Sequence, residues 1–544
     1  MSSRIFQAKK KKIKKPCKTP VPDTKNLAGG RAYSLTAEEQ LAKFAVTGCF
    51  GSTFYQSAEE ALSSLLNILP QVSPEFLEKA ISYSKNSGLM KDMPAFLLLW
   101  GVRNHMSYDF RAAYADTVRN VGDILRITKI ITSGVLGFRN FGSRLRRLTT
   151  TALLAQKDYK LMFETGNNPS VKDVINLLHP KATALDTVEA FRYLTGDRSK
   201  LIKANLSDTA GLVLDLNQGN INFSDLSKDS KAELARNIDI RLFQNWKLNK
   251  KDWETVSQSC GFTTALFNLN TFHRNDAFST QKSIANTVSN LTEGATKTRI
   301  WPYRLFTAAK NMELGHPIRP YMGSILSKIL EKNKEKLDLP SSIALCIDIS
   351  SSMLSPITGS GHAKDSTVNC VDVAGIFAAM LRENCEDTAV VLFNTDAQAF
   401  KHSNKDAFQV AEGIAKLATG GTCCEASIHH LVKNNSKAEL VIMISDNESW
   451  AQFHNHNKSP SWNWYGNNNT PNPIKGLREA WNTYKAKVPN AKLVLLDLTP
   501  NMTTQLVDGD SVLNLAGFNS NILPLISQFA KGDITDFASI IKNS

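Results

Sequence analysis

Five oxygen-bearing residues fall in a pattern that chemistry can use. Asp348, Ser350 and Ser352 take alternate positions in "CIDISSSM", where the apolar run "SIALCIDI" ends. Alternate residues of an extended chain share one side, so a carboxylate and two hydroxyls form an oxygen row where a buried strand gives out. Thr422 follows the Gly420-Gly421 turn in "TGGTCCEAS", and Asp446 closes the apolar run "ELVIMISD". Carboxylate and hydroxyl oxygens without histidine or thiolate suit a hard divalent cation, magnesium first, with manganese or calcium as alternatives. Few direct carboxylates would leave such an ion electrophilic, with room for water or an incoming acidic group.

The elements that must position these residues are short apolar strands alternating with helices. "SIALCIDI", "TAVVLFN", "ELVIMISD" and "AKLVLLDL" are separated by helical stretches such as "VNCVDVAGIFAAMLREN" and "NPIKGLREAWNTYKAK". Near-continuous apolar strands of this kind predict a parallel sheet covered on both faces, with ligands bound beyond the carboxyl ends of the strands. The five residues then converge from three loops, and their pattern resembles the metal-ion-dependent adhesion site of von Willebrand factor A (vWA) domains. A strand-end aspartate is also the nucleophile of haloacid-dehalogenase-type phosphatases, but Ser350 stands where that chemistry needs its acidic partner. A helix cap would explain a serine at 350 or 352 and neither Thr422 nor Asp446. With no P-loop, GxSxG or HExxH, the sequence predicts no enzyme. His454 and His456 lie in an Asn/Trp-rich stretch that reads as a loop.

Upstream the pattern is helical for some 300 residues. "TAEEQLAKFAV" opens with a capping box from Thr36 to Glu39, and "AEEALSSLLNIL", "PEFLEKAISYSK", "MPAFLLLWGVRNH", "SKAELARNIDIRLFQNW" and "GFTTALFNLNTF" continue it. Short helices joined by polar turns predict a stacked solenoid with a continuous concave surface. Three segments follow: a basic disordered tail (1–25), a helical-repeat domain (26–336) and an A-type domain (337–544).

Charge divides along the same line. Residues 1–336 hold 49 Lys+Arg against 30 Asp+Glu, and residues 337–544 hold 15 against 20. The helical part therefore suits a polyanion and the second domain does not. Arg119, Arg126, Lys129, Arg139, Arg144, Arg146 and Arg147 cluster against one acid, Asp123. On a helix expected to be capped by Ser143, Arg144 and Arg147 share a face. Nearby aromatic residues, Tyr108, Phe110, Tyr114, Phe138 and Phe141, offer base stacking or, more simply, core. Eight cysteines without metal-ligand spacing fit free thiols in a reducing compartment, and no apolar run is long enough to span a membrane. A cytoplasmic location is expected.

"NLAGGRAYSL", "GCFGSTFY", "FGSRLRRLTTTALL", "NPSVKDVINLLHP", "GFTTALFNLNTF" and "TRIWPYRLFTAAK" together resemble the TROVE domain of Ro ribonucleoproteins, and "CIDISSSM", "GGT" and "SDNES" resemble the A domain that follows it there. The resemblance implies an all-α, HEAT-repeat-like ring closed by an α/β doubly wound vWA domain. It further implies a monomeric ring that binds Y-like noncoding RNA outside and single-stranded 3′ ends of misfolded RNAs in its hole, with an exoribonuclease as a partner in bacteria. Lys172 and His179 fall in a segment that contacts RNA in the family, whose first histidine is replaced here by Val171. Cys423 replaces the aspartate that usually follows the threonine. The expected RNA contacts are Arg126, Lys129, Arg139, Arg144, Arg146, Arg147, Lys172 and His179. A rival expectation is a protein-interaction scaffold that meets an acidic partner through the ion.

Overall fold

A computed structural model describes residues 22–48, 52, 55–164, 168–297, 302–331, 338–357, 368–385, 387–401, 407–450, 473–499, 502–518 and 521–544. Most of the basic tail and the loop with His454 and His456 lie outside these residues.

The helical body is written in its caps. Thr36 accepts from the backbone N–H of Glu39 at 3.3 Å while the Glu39 carboxylate accepts from Thr36 N–H at 2.7 Å, which starts the helix Ala37–Thr47. The same reciprocal box opens Ala58–Ile68, Val171–Leu178 and Lys250–Ser259. Helix Asp92–Asn104 is buried from Met93 through Gly101, because "MPAFLLLWG" is apolar all round and is covered on several sides. Neighbouring helices stack in succession: Pro74–Asn86 on Asp92–Asn104, that helix on Val121–Ser133, and Val121–Ser133 on both Gly142–Leu154 and Val171–Leu178. Farther on, Lys228–Asn237 packs on Lys250–Ser259, which packs on Gln281–Lys297, and that on Met322–Glu331.

Two expected single helices are broken. "SKAELARNIDIRLFQNW" divides into Lys228–Asn237 and Ile240–Phe243, because Asp239 caps the second with its own side chain. "GFTTALFNLNTF" divides into Phe262–Phe267 and Leu269–Arg274.

The second domain is a six-stranded sheet in the order 397–399, 387–393, 342–348, 440–445, 492–497, 512–516, parallel except for the first edge strand. Period-two alternation assigns its faces: Ile343, Leu345 and Ile347 join one core with Phe377, Leu381 and Phe529, while Ala344 and Cys346 join another with Ile428, Trp481 and Tyr484. Helices therefore cover both sides, as the apolar strands predicted.

This domain closes the helical body into a ring. Met322–Glu331 packs on Cys370–Asn384 at one junction, and Ala37–Thr47 packs on Val512–Ala516 and on the last helix, Phe537–Asn543, at the other. Each junction holds an ion pair, a partly exposed Lys310 to a buried Asp372 at 2.8 Å and a fully buried Lys43 to Asp497 at 2.5 Å. The N-terminal segment is not all tail. Thr24–Lys25 and Arg31–Ser34 form antiparallel strands, and the second pairs with Thr503–Thr504 of the A-type domain. A strand of a few residues carries too weak a periodic signal to be read from sequence. Among the described residues no helix is long and apolar enough to cross a membrane.

Candidate functional site

The sheet runs outward in opposite directions from the pair 342–348 and 440–445, and the crevice between their carboxyl ends is a topological switch point. Asp348 and Asp446 stand at it, 0% and 4% exposed. Asp348 accepts from Ser350 N–H at 2.8 Å and from the Ser445 hydroxyl at 2.6 Å. The hydroxyls of Ser350 and Ser352 lie 3.1 Å apart, and Ser352 also bonds Asp446. Thr422 enters from the preceding loop, where Gly420 has φ +83° and a Cβ on Gly421 would lie 2.6 Å from the Trp450 ring. Its carbonyl accepts from Trp450 N–H at 3.2 Å, tying that loop to the one bearing Asp446. The five residues expected at one sheet edge therefore stand at one edge.

Their electrostatics call for a cation. Burial pushes the Asp348 carboxyl above its usual range, and the charge of Asp446 adds to this; burial does the same to Asp446. The Thr422 hydroxyl is buried without a hydrogen-bond partner among the described residues, an arrangement that costs free energy unless something accepts its oxygen. Two carboxylates and three hydroxyls with an orphaned oxygen fit a hard divalent ion. No group of three His, Cys, Asp or Glu able to hold a metal occurs among the described residues, so an ion here must rely on the hydroxyls. Burial raises the thiols of Cys423 and Cys424, which keeps them neutral next to the cradle.

The eight expected RNA contacts separate into two groups. Arg126 is bound to Asp92 at 2.6 Å and Asp123 at 2.9 Å. Arg144 donates to the Tyr108 carbonyl at 2.7 Å and to Asp109 at 2.8 Å. These two guanidinium groups hold helices together. Lys129, Arg139, Arg146, Arg147, Lys172 and His179 are exposed, and three mutually packed helices and their adjoining turns carry them. Ser143 does not cap: the helix starts at Gly142 after Phe141, with no side-chain cap bond and no acid in its first turn. Arg144 near that N-terminus places positive charge at the positive end of the helix dipole, an arrangement that an anion would relieve. Asp109, Arg111, Ser143, Arg144 and Arg147 line a shallow concavity of about 460 Å³ there. Phe110, Tyr114 and Phe141 are core, as the simpler expectation had it.

Sequence reasoning missed a second basic group. Lys91, in the turn before Asp92–Asn104, reaches solvent, yet its ammonium is held below its usual pKa by desolvation first and then by the charges of Arg304 and Arg126. Arg304 belongs to the far end of the helical body, so the two ends approach each other here. Its guanidinium lies 5.9 Å from the ring of Phe267, which is 47% exposed. No local pattern could have found this group, because its members meet only when the ring closes.

Two comparisons bear on the chain. Residues 342–530 match the family model of the Ro60 vWA domain. The whole fold is similar to that of the Ro (RSR) protein of Deinococcus radiodurans, known from a crystal structure, at 15% identity and a TM-score of 0.56, covering 92% of this chain and 100% of that one.

Proposed function

On a Ro-type helical ring that carries a Ro60-type vWA domain, we propose a non-catalytic RNA-binding protein of a small ribonucleoprotein. The observation that carries this reading is the set of exposed cations on the adjoining helices Val121–Ser133, Gly142–Leu154 and Val171–Leu178, the middle one of which opens with arginine and no acid. Phosphates would pair with the exposed cations Lys129, Arg139, Arg146, Arg147 and Lys172, and such contacts position an RNA without reading its bases. Lys129, Arg139, Arg146, Arg147 and Lys172 would take a structured, Y-like noncoding RNA. Lys91 and Arg304, with Phe267 as a stacking surface, would take a single-stranded 3′ end. The ring then acts in RNA quality control by holding ends for an exoribonuclease, in the cytoplasm and as a monomer. Asp348, Ser350, Ser352, Thr422 and Asp446 would hold the divalent ion, magnesium in the first instance, whose chemistry there is charge neutralisation of a buried acidic edge.

The test is fluorescence anisotropy of a duplex RNA with a 3′ tail against the same duplex made blunt, at several salt concentrations. If five cations each touch one phosphate, log affinity falls against log salt with a slope of about −4.5 on a paired, structured RNA and about −3.5 on a single strand. Arg146→Glu with Arg147→Glu should weaken binding and flatten that slope. Unchanged affinity and slope in a folded double variant would refute the assignment, and equal binding to tailed and blunt RNA would refute the role given to Lys91 and Arg304.

A further inference from the structure

The oxygen cluster at the sheet edge is met from outside its own domain. Tyr55, three residues before the helix Ala58–Ile68, is half-buried and bonds Ser352 through its hydroxyl. Asp446, Glu448 and Asp348 lie nearby. A second segment grips the loop that carries Asp446. The Asn26 amide donates to the Ser449 carbonyl at 3.0 Å, and Ala28 N–H donates to the Glu448 carboxylate at 3.0 Å. Gly30 approaches so closely that a Cβ would lie 2.3 Å from the Ser449 carbonyl oxygen.

The contact gathers four acids and few cations. Asp348, Asp446, Glu448 and Asp497 are all buried at one edge, and Lys43 is the one buried lysine or arginine among the described residues. Whenever these carboxyls ionise, their crowding in low dielectric opposes the docking of anything that excludes water from them. A divalent cation removes that opposition. A tyrosine hydroxyl, unlike an acidic partner group, adds a hard oxygen beside the cradle without adding negative charge.

We propose that Tyr55 is the helical body's own contribution to the cation site, so that ion, Tyr55 and residues 26–30 form one clasp: the loaded ion locks the N-terminal end of the body onto the sheet edge, and the empty site releases it. This rests on the reading of the five residues as an ion cradle. It makes the open side of the cradle a ring fastener rather than a dock for a foreign acidic protein. Because linkage is reciprocal, whatever opens this junction weakens the ion, and loss of the ion eases opening.

Hydrogen exchange on the full-length protein tests the clasp, with magnesium or manganese present and then removed by chelation. Amides of Ala28 and Gly30 should exchange at least about tenfold faster without the ion, while those of Gly142–Leu154 stay unchanged. Tyr55→Phe should lower manganese affinity in calorimetry by about tenfold and erase the effect of the ion on that exchange. If the ion binds the wild type and exchange at residues 26–30 does not respond, the clasp is overturned while the cradle stands. Unchanged affinity and unchanged protection in Tyr55→Phe overturn it equally. If the wild type binds no ion, or Asp348→Ala keeps it, the cradle reading falls and the clasp with it.

Discussion

Lys43→Met removes the ammonium from the junction between the first helix and the A-type domain. Lys43 and Asp497 have side chains 3% and 2% exposed, and Lys43 also donates to the Thr503 carbonyl at 3.3 Å. Removing one member of such a pair leaves a buried carboxylate without its cation, a loss of about 3–5 kcal/mol. The cost should appear locally, in the opening free energy of Ala37–Thr47 measured by native-state hydrogen exchange. The pH dependence follows from Asp497, whose pKa burial already raises in spite of Lys43 and Asn447. Without Lys43 it rises further. An acid with a raised folded pKa favours the fold when protonated, below its unfolded value, and loses that contribution as pH climbs through the folded pKa. The deficit of the variant against wild type should therefore be smallest in acid and grow toward neutrality. Adding Asp497→Asn removes the stranded charge and should recover most of the loss. A cost below about 1 kcal/mol for Lys43→Met, or a double variant as unstable as both singles together, would refute the argument.

Asp348→Ala should abolish stoichiometric binding of magnesium or manganese in calorimetry. In the wild type, protons compete for the raised carboxyls of Asp348 and Asp446, so affinity should fall as pH is lowered and ion binding should release protons; proton-independent binding would count against the cradle. Gly30→Ala must displace the Ser449 carbonyl, and should loosen residues 26–30 by about 1–3 kcal/mol in exchange experiments. Arg126→Ala, which breaks ion pairs to Asp92 and Asp123, should cost about 1 kcal/mol or less of stability and leave the salt slope of RNA binding where it was. Arg304→Glu should weaken a tailed RNA and spare a blunt one, as anisotropy would show directly.

What the sequence determined was local and periodic. Thr36 and Glu39, or Ser170 and Asp173, specify a helix start within four residues, and the alternation in "SIALCID" specifies a strand covered on both faces. The clustering of the proposed cradle's residues at one edge was legible for a related reason. Asp348 and Asp446 stand at the ends of adjacent parallel strands, which the sheet brings together, while Thr422 comes in on a glycine turn. Charge sign by domain was legible too, since it needs only counting. What the tertiary structure decided was which charges remain available. Local pattern does not separate Arg144, held by Asp109, from Arg146 and Arg147, which are exposed, and it shows only Asp123 of the two acids that hold Arg126. Asp123 sits one turn away on Arg126's own helix, but Asp92 and Asp109 come from other parts of the fold. The same holds for Lys43, Lys91, Tyr55 and Arg304, whose neighbours are hundreds of residues away in the chain and adjacent only because the ring closes. Short-range order follows from backbone geometry and is written in spacing, whereas desolvation and ion pairing belong to the assembled fold.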